Sequence, residues 1–118
     1  HHTVQGGSNI IKLRGRSSFQ SPAYNAVKMI EAAMGGEPFT LPAGCYVNCD
    51  KCGYKNVMMA MPSTIDKTGV HFTAPTGTEE EMASLNKSYE HLCKMRDEIV
   101  ALGIVPAVEE WTKMNPNL

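Results

Sequence analysis

"FTLPAGCYVNCDKCGYKNVMMAMPSTIDKTGVHFTA", residues 39–74, decides the fold. The runs "FTLPAGCYV" and "NVMMAMPSTI" read as extended apolar segments, separated by a polar loop that holds cysteines. "DKTG", residues 66–69, is a turn signal, and "VHFTA" behind it is a third run rich in strand formers. Connections this short join antiparallel neighbours, because parallel strands need a long crossover. The expectation is therefore an antiparallel β-meander of three strands. Its nearly continuous apolar character calls for helices covering one face.

Helical patterns flank the meander on both sides. Upstream, "SNIIKL" (residues 8–13) suits a helical turn or two, and "RGRSSFQ" reads as a polar turn. Ser21 is placed to cap the next helix and Pro22 to sit in its first turn, where no N–H donor is needed. Ala26, Val27, Ile30, Ala33 and Met34 then share one face, and Gly35-Gly36 supplies a left-handed stop. Downstream, Thr78 and Glu81 form a capping-box pattern before a long amphipathic segment ending at Gly103. Glu79, Glu80 and Glu81 stand at the positive end of that helix dipole. Residues 104–118 read as a C-terminal extension with Trp111 as its one large anchor. The fold class is α+β, an antiparallel β-meander packed by helices.

Composition narrows the function. A chain of 118 residues suits one domain with a real core. A net charge of −1 argues against a nucleic-acid surface, which needs clustered cations for counterion release. Lys12, Arg14 and Arg16 form one small basic cluster, suited to a solvated face or an anion contact. No apolar run reaches the ~18 residues of a membrane helix, and the opening residues have no secretory pattern. Eight methionines and cysteines without evident partners suit a reducing compartment, so a cytoplasmic location is expected. The opening pair His1-His2 reads as the end of an affinity tag.

Of the four cysteines, Cys49 and Cys52 are spaced as a C-x-x-C and Cys45 lies four residues before them. A zinc site wants four ligands, usually as two close pairs. Cys45, Cys49 and Cys52 with Cys93 or His71 make one such set, and a zinc-stabilised binding module is the alternative this allows. No second C-x-x-C completes it, so reduced thiols on a hairpin loop is the preferred reading. A redox role is not expected either, since the pair precedes no helix that would lower a thiolate pKa. His71 can approach Asp66 across the turn, a pairing that is more often structural. His91 lies on the long helix, and the methionines of "VMMAMP" read as packing. The residues provide no G-x-G-x-x-G, P-loop, nucleophile elbow or catalytic carboxylate pair.

The order of landmarks carries further information. "GGSNIIKLRGRSSFQSPAYNAVKMIEA", then "TLPAGCYV", then "GYKNVMMAMPSTIDKTGV", then a long final helix resembles the C-terminal part of the lactate/malate dehydrogenases, most closely the bacterial malate dehydrogenases. The glycine pair Gly6-Gly7, the segment Asn9 to Leu13, the serines Ser17-Ser18, the opening Ser21-Pro22-Ala23, Leu41-Pro42, Pro62 and the K-x-G-V turn Lys67 to Val70 stand in the matching order. The resemblance covers about residues 3–102.

This resemblance implies a partial C-terminal substrate domain, residues 1–103, of an enzyme that passes hydride between NAD and a 2-hydroxy acid. The family's phosphate loop, catalytic histidine, orienting aspartate and substrate arginines lie upstream of its glycine pair, so none is expected here. NAD would be bound mainly by a domain absent from this chain, and the chain alone is expected to be inactive. Ser17 matches the family's pocket serine or threonine, a substrate contact. Ser21 matches a small position beside the nicotinamide, a cofactor contact. The expected partners are a small 2-hydroxy or 2-oxo dicarboxylic acid and further copies of the enzyme in a homo-oligomer, with neither nucleic acid nor membrane. Malate against lactate specificity stays open, because the discriminating residue belongs upstream. The segment between Tyr46 and Val57 reads as about one residue longer than the family pattern, and its cysteines are not a family feature.

Overall fold

Prolines divide the strand region. In a computed structural model that describes residues 2–116, the first apolar run forms β1 (Phe39–Thr40) and β2 (Ala43–Cys49), with Leu41-Pro42 between them. The second run forms β3 (Tyr54–Met61) and β4 (Ser63–Asp66), separated at Pro62, and the third forms β5 (Gly69–Phe72). Proline has no N–H to give a ladder. Ala43 pairs with Met61, so Pro42 and Pro62 end the β2–β3 ladder at the same level. Beyond them the runs meet again as neighbours in a second sheet of order β1-β4-β5. The meander thus keeps its expected order but is cut into a two-stranded and a three-stranded sheet.

Four helices complete the described residues: α1 (His2–Arg14), α2 (Gln20–Ala33), α3 (Glu79–Ala101) and α4 (Val108–Met114). The α+β class holds. α1 is longer than the turn or two its sequence suggests, with Gly6 and Gly7 inside it. The affinity-tag reading of the first two residues falls partly on His1, outside the described residues. α2 ends as expected: the Gly36 N–H reaches Glu31 O at 2.8 Å and the Gly35 N–H reaches Ala32 O at 3.0 Å, with Gly35 at φ +95°. This pair of bonds satisfies carbonyls that the helix end leaves without partners. α3 begins with the full capping box, Glu81 N–H to Thr78 Oγ1 at 3.3 Å and Thr78 N–H to Glu81 Oε2 at 2.8 Å.

The chain divides into two compact units, His1–Phe39 with Ile65–Gly69, and Thr40–Thr64 with Val70–Leu118. The second has the clearer core. Cys45 faces Met59 and Val47 faces Val57 across the hairpin, all four buried. Between Val47 and Cys49 the register shifts, and Asn48 opposes both Lys55 and Asn56. This is a β-bulge on β3, with Asn56 in the left-handed region at φ +54°, a conformation asparagine tolerates better than most residues. It lies in the segment that reads as one residue longer than the family pattern.

α3 is fastened to that bulged edge by polar contacts. Arg96 Nη1 donates to the carbonyls of Lys55 (3.2 Å) and Asn56 (3.1 Å), and the Lys55 N–H donates to the Tyr89 hydroxyl at 3.2 Å. The Tyr54 hydroxyl donates to Asn86 Oδ1 at 2.8 Å. The tail docks through Trp111, whose indole N–H donates to Pro106 O at 2.9 Å and whose ring lies 6.2 Å from that of Tyr46.

Candidate functional site

The turn between α1 and α2 carries the residues that the family resemblance marks. α1 closes when the Gly15 N–H bonds Ile11 O at 2.8 Å, with Gly15 at φ +72°, a left-handed position that reverses the chain cheaply only as glycine. Arg16, Ser17, Ser18 and Phe19 follow without regular structure, and α2 begins at Gln20. Ser17 is exposed, and its hydroxyl has no hydrogen-bond partner among the described residues. It is available to an external acceptor or donor.

The expectation that Ser21 caps α2 is corrected. Phe19 is the N-cap, its carbonyl accepts the Ala23 N–H at 3.0 Å, and no side chain caps the helix. Ser21 is already the second helical residue, exposed beside Pro22. The helix begins earlier than the serine because Phe19 is held in place by its neighbours. The guanidinium carbons of both Arg14 and Arg16 lie 5.2 Å from the Phe19 ring centroid. Such cation–π contacts contribute about 0.5–1 kcal/mol each at exposed sites. Arg14 also reaches Gln20 Oε1 at 3.5 Å.

The electrostatics of this turn follow from sequence. No Asp or Glu occurs before Glu31, while Lys12, Arg14, Arg16 and Lys28 all do. Lys28 is paired with Glu31 at 2.6 Å. Lys12, Arg14 and Arg16 thus lie within five residues of Ser17 in sequence, in a stretch that holds no carboxylate. The composition reveals these cations. The R-G-R-x-x-F spacing that stacks two of them on one ring is the signal the sequence reading passed over.

The cysteines are not gathered into one centre. Cys45 is buried in β2, within 3.0 Å of Ser63 Oγ and 3.3 Å of Ala43 O. Cys49 and Cys52 sit at the other end of that strand, in the hairpin turn, and Cys93 is on α3. Among the described residues no group of three or more His, Cys, Asp or Glu is placed to hold a metal ion. The zinc-module alternative has no ligand geometry behind it. Asp66 accepts from the Thr68 N–H at 2.7 Å and from its hydroxyl at 2.5 Å, which fixes the turn before β5. A furrow of about 190 Å³ within the second unit is walled by Val57, Met58, Leu92, Ile99 and Trp111. Its lining is that of a packing seam.

Fold and site together define an α+β domain that presents an open, cationic turn and has no glycine-rich phosphate loop in its sequence. The chain belongs to the lactate/malate dehydrogenase family, whose alpha/beta C-terminal domain model matches residues 1–102. Curated proteins similar to it are malate dehydrogenases. That of Geobacillus kaustophilus (strain HTA426) is 33% identical over 90 residues, 75% of this chain and 28% of that protein. That of Sorangium cellulosum (strain So ce56) is 30% identical over 100 residues, 84% of this chain and 32% of that protein. Another, from Anoxybacillus flavithermus (strain DSM 21510 / WK1), is 32% identical over 90 residues, again 75% of this chain and 28% of that protein. The chain thus spans 28% to 32% of the length of these relatives. Among the described residues no helix is long and apolar enough to cross a membrane.

Proposed function

We propose that the chain is part of the substrate domain of a cytoplasmic, homo-oligomeric NAD-dependent malate dehydrogenase, interconverting malate and oxaloacetate. The observation that carries this reading is the family match over residues 1–102, with malate dehydrogenases as the similar curated proteins. Within that enzyme Ser17 lines the substrate pocket. Its small hydroxyl leaves room for a four-carbon dicarboxylate and hydrogen-bonds a carboxylate or an ordered water. Arg14 and Arg16 add positive potential at the pocket mouth and draw a dianion toward the turn.

The residues present do not fit NAD on their own. Gly6-Gly7 lie inside a helix and Gly35-Gly36 close one, so neither pair forms a loop whose amides cradle a pyrophosphate. NAD is the hydride carrier of the whole enzyme. This chain's share is limited to Ser21 beside the nicotinamide, and no step of hydride transfer is assigned to its residues.

The test is made in the whole enzyme. Ser17→Val removes the hydrogen-bonding group and is expected to raise the KM for oxaloacetate about tenfold, as the loss of ~1.4 kcal/mol predicts. Unchanged kinetics would remove Ser17 from the pocket. Oxaloacetate reduction by these 118 residues alone would overturn the placement of the reacting groups elsewhere. A whole enzyme preferring pyruvate over oxaloacetate would move the assignment to lactate dehydrogenase.

A further inference from the structure

The turn joining β2 to β3 holds two thiols that the proposed reaction does not use. Cys49 ends β2 and pairs in register with Tyr54, so residues 50–53 form a tight hairpin loop. The backbone N–H of Cys52 points at Cys49 Sγ from 3.2 Å, and Cys52 Sγ lies 3.7 Å from Cys49 O. Gly53, at φ +77°, closes the turn through its N–H to Cys49 O at 3.1 Å. Both cysteines are half-buried, open to small reagents, whereas Cys45 is buried against Ser63.

We propose that Cys49 and Cys52 form a reactive dithiol, Cys49 attacking low-molecular-weight disulfides and Cys52 resolving the adduct into an intraloop disulfide. In the first step the Cys49 thiolate forms a bond to one sulfur of the small disulfide and expels the other sulfur as a thiolate. In the second, Cys52 loses its proton and attacks Cys49 Sγ, breaking the mixed disulfide and releasing the second small thiolate. The chain loses two electrons and two protons, and the small disulfide is reduced to two thiols.

The loop's chemistry suits these separate roles. The nucleophile in such exchange is the thiolate. Hydrogen bonds from the Cys52 thiol and then its backbone N–H hold Cys49 below the usual thiol range. Burial, and then the bond to Cys49, push Cys52 above it. The charged neighbours are Asp50, Lys51 and Lys55. Asp50 opposes a Cys49 thiolate, but Lys55 is ion-paired with it and offsets that charge. No helix N-terminus is needed, because one amide of the turn supplies the donor. A disulfide across so short a loop adds little chain-entropy stabilisation, so its consequence is chemical before it is structural.

Lys51 lies between the two cysteines, which makes the test direct. The reduced full chain is incubated with oxidised glutathione, alkylated and digested with trypsin. The peptides on either side of Lys51 are expected to stay joined until reductant is added, with Cys45 and Cys93 alkylated. Cys52→Ser is expected to accumulate glutathione on Cys49. Cys49→Ser is expected to react more slowly at Cys52, by about three- to fourfold for each unit separating the two titrations, because the smaller thiolate fraction is partly offset by greater nucleophilicity. The linked peptides are read on the unsubstituted chain, so a variant that misfolds does not remove the test. Peptides that stay unlinked, or Cys93 taking up glutathione as fast as Cys49, would overturn the proposal.

Discussion

Three methionines on β3, Met58, Met59 and Met61, test whether the bulge at Asn56 sets the packing of the hairpin. Strict alternation from the buried Tyr54 would turn Asn56, Met58 and Ala60 inward. The extra residue reverses that parity: Met59 and Met61 are 6% and 1% exposed, and Met58 is 63% exposed. Truncating a fully buried methionine loses its transfer energy and leaves a cavity, together about 2–5 kcal/mol. Met61→Ala is expected to lie in that range and Met59→Ala near its lower end. Met58→Ala is expected to stay within about 0.5 kcal/mol, as for other surface changes. Urea unfolding followed by Trp111 fluorescence reads this directly, because the chain's single tryptophan packs on Tyr46 in the same unit. With a slope of about 1–3 kcal/mol per molar, a loss of ~3 kcal/mol moves the midpoint by roughly 1–3 M. Met58 also lines the furrow beside Trp111, so the midpoint is compared and the signal amplitude is not. Equal losses at Met58 and Met61 would show that the bulge does not set the register.

Thr78→Ala removes the reciprocal capping of α3 and is expected to cost about 1 kcal/mol, read by faster amide exchange in the helix's first turn. The same change alters acid stability. Glu81 is held below the usual carboxylate range, first by the Thr78 N–H and then by its hydroxyl. Its contribution is therefore present above the unfolded-state pKa and is lost as pH falls through the lower folded value. In the variant the Glu81 titration, followed by NMR, is expected to move back toward the ordinary range; no movement would exclude the hydroxyl's share in the bond. Gly35→Ala forces a Cβ into φ +95° and is expected to cost about 1–2 kcal/mol in thermal unfolding. Gly36→Ala sets its Cβ 2.9 Å from Glu31 O and is expected to destabilise the same helix end.

What was legible in the sequence was local. Thr78 and Glu81 need only each other, and Gly35 and Gly103 need only the helix they terminate, so their spacing states their role. Pro42 and Pro62 were equally visible, but their effect depends on a register that places them at the same level of the hairpin. A proline's own neighbours do not show what it faces. The bulge was less legible still, since Lys55-Asn56-Val57 reads as ordinary strand and only the pairing reveals two residues against one. Ser21 failed as a cap for a related reason: serine's preference for that position is about 1 kcal/mol, comparable to the paired arginine–Phe19 contacts that favour an earlier start. Ser17 had no local signal at all. A hydroxyl with no partner among the described residues looks like any loop serine, and only the order of landmarks around it singled it out.

That same lack of a partner separates the fold from the proposed site. A residue that holds the structure together cannot be altered without a change in stability. Ser17 bonds nothing among the described residues and is exposed, so Ser17→Ala is expected to change unfolding by less than about 0.5 kcal/mol. With stability of the whole enzyme also unchanged, a rise in the KM for oxaloacetate in that variant measures a contact made with substrate, because no bond among the described residues was lost. Met61→Ala is the converse, a stability loss in the hairpin core that leaves the chemistry of the turn unaltered in the fraction that stays folded. Replacing Arg16 by Gln adds the remaining distinction. If positive potential at the turn draws the dianion, its loss raises KM at low salt and much less at high salt, because screening shortens the reach of an exposed charge. The hydroxyl's effect is expected to persist at both ionic strengths, since a hydrogen bond acts at contact. A Ser17 effect that vanished in salt would mean that the residue acts through the arginines beside it.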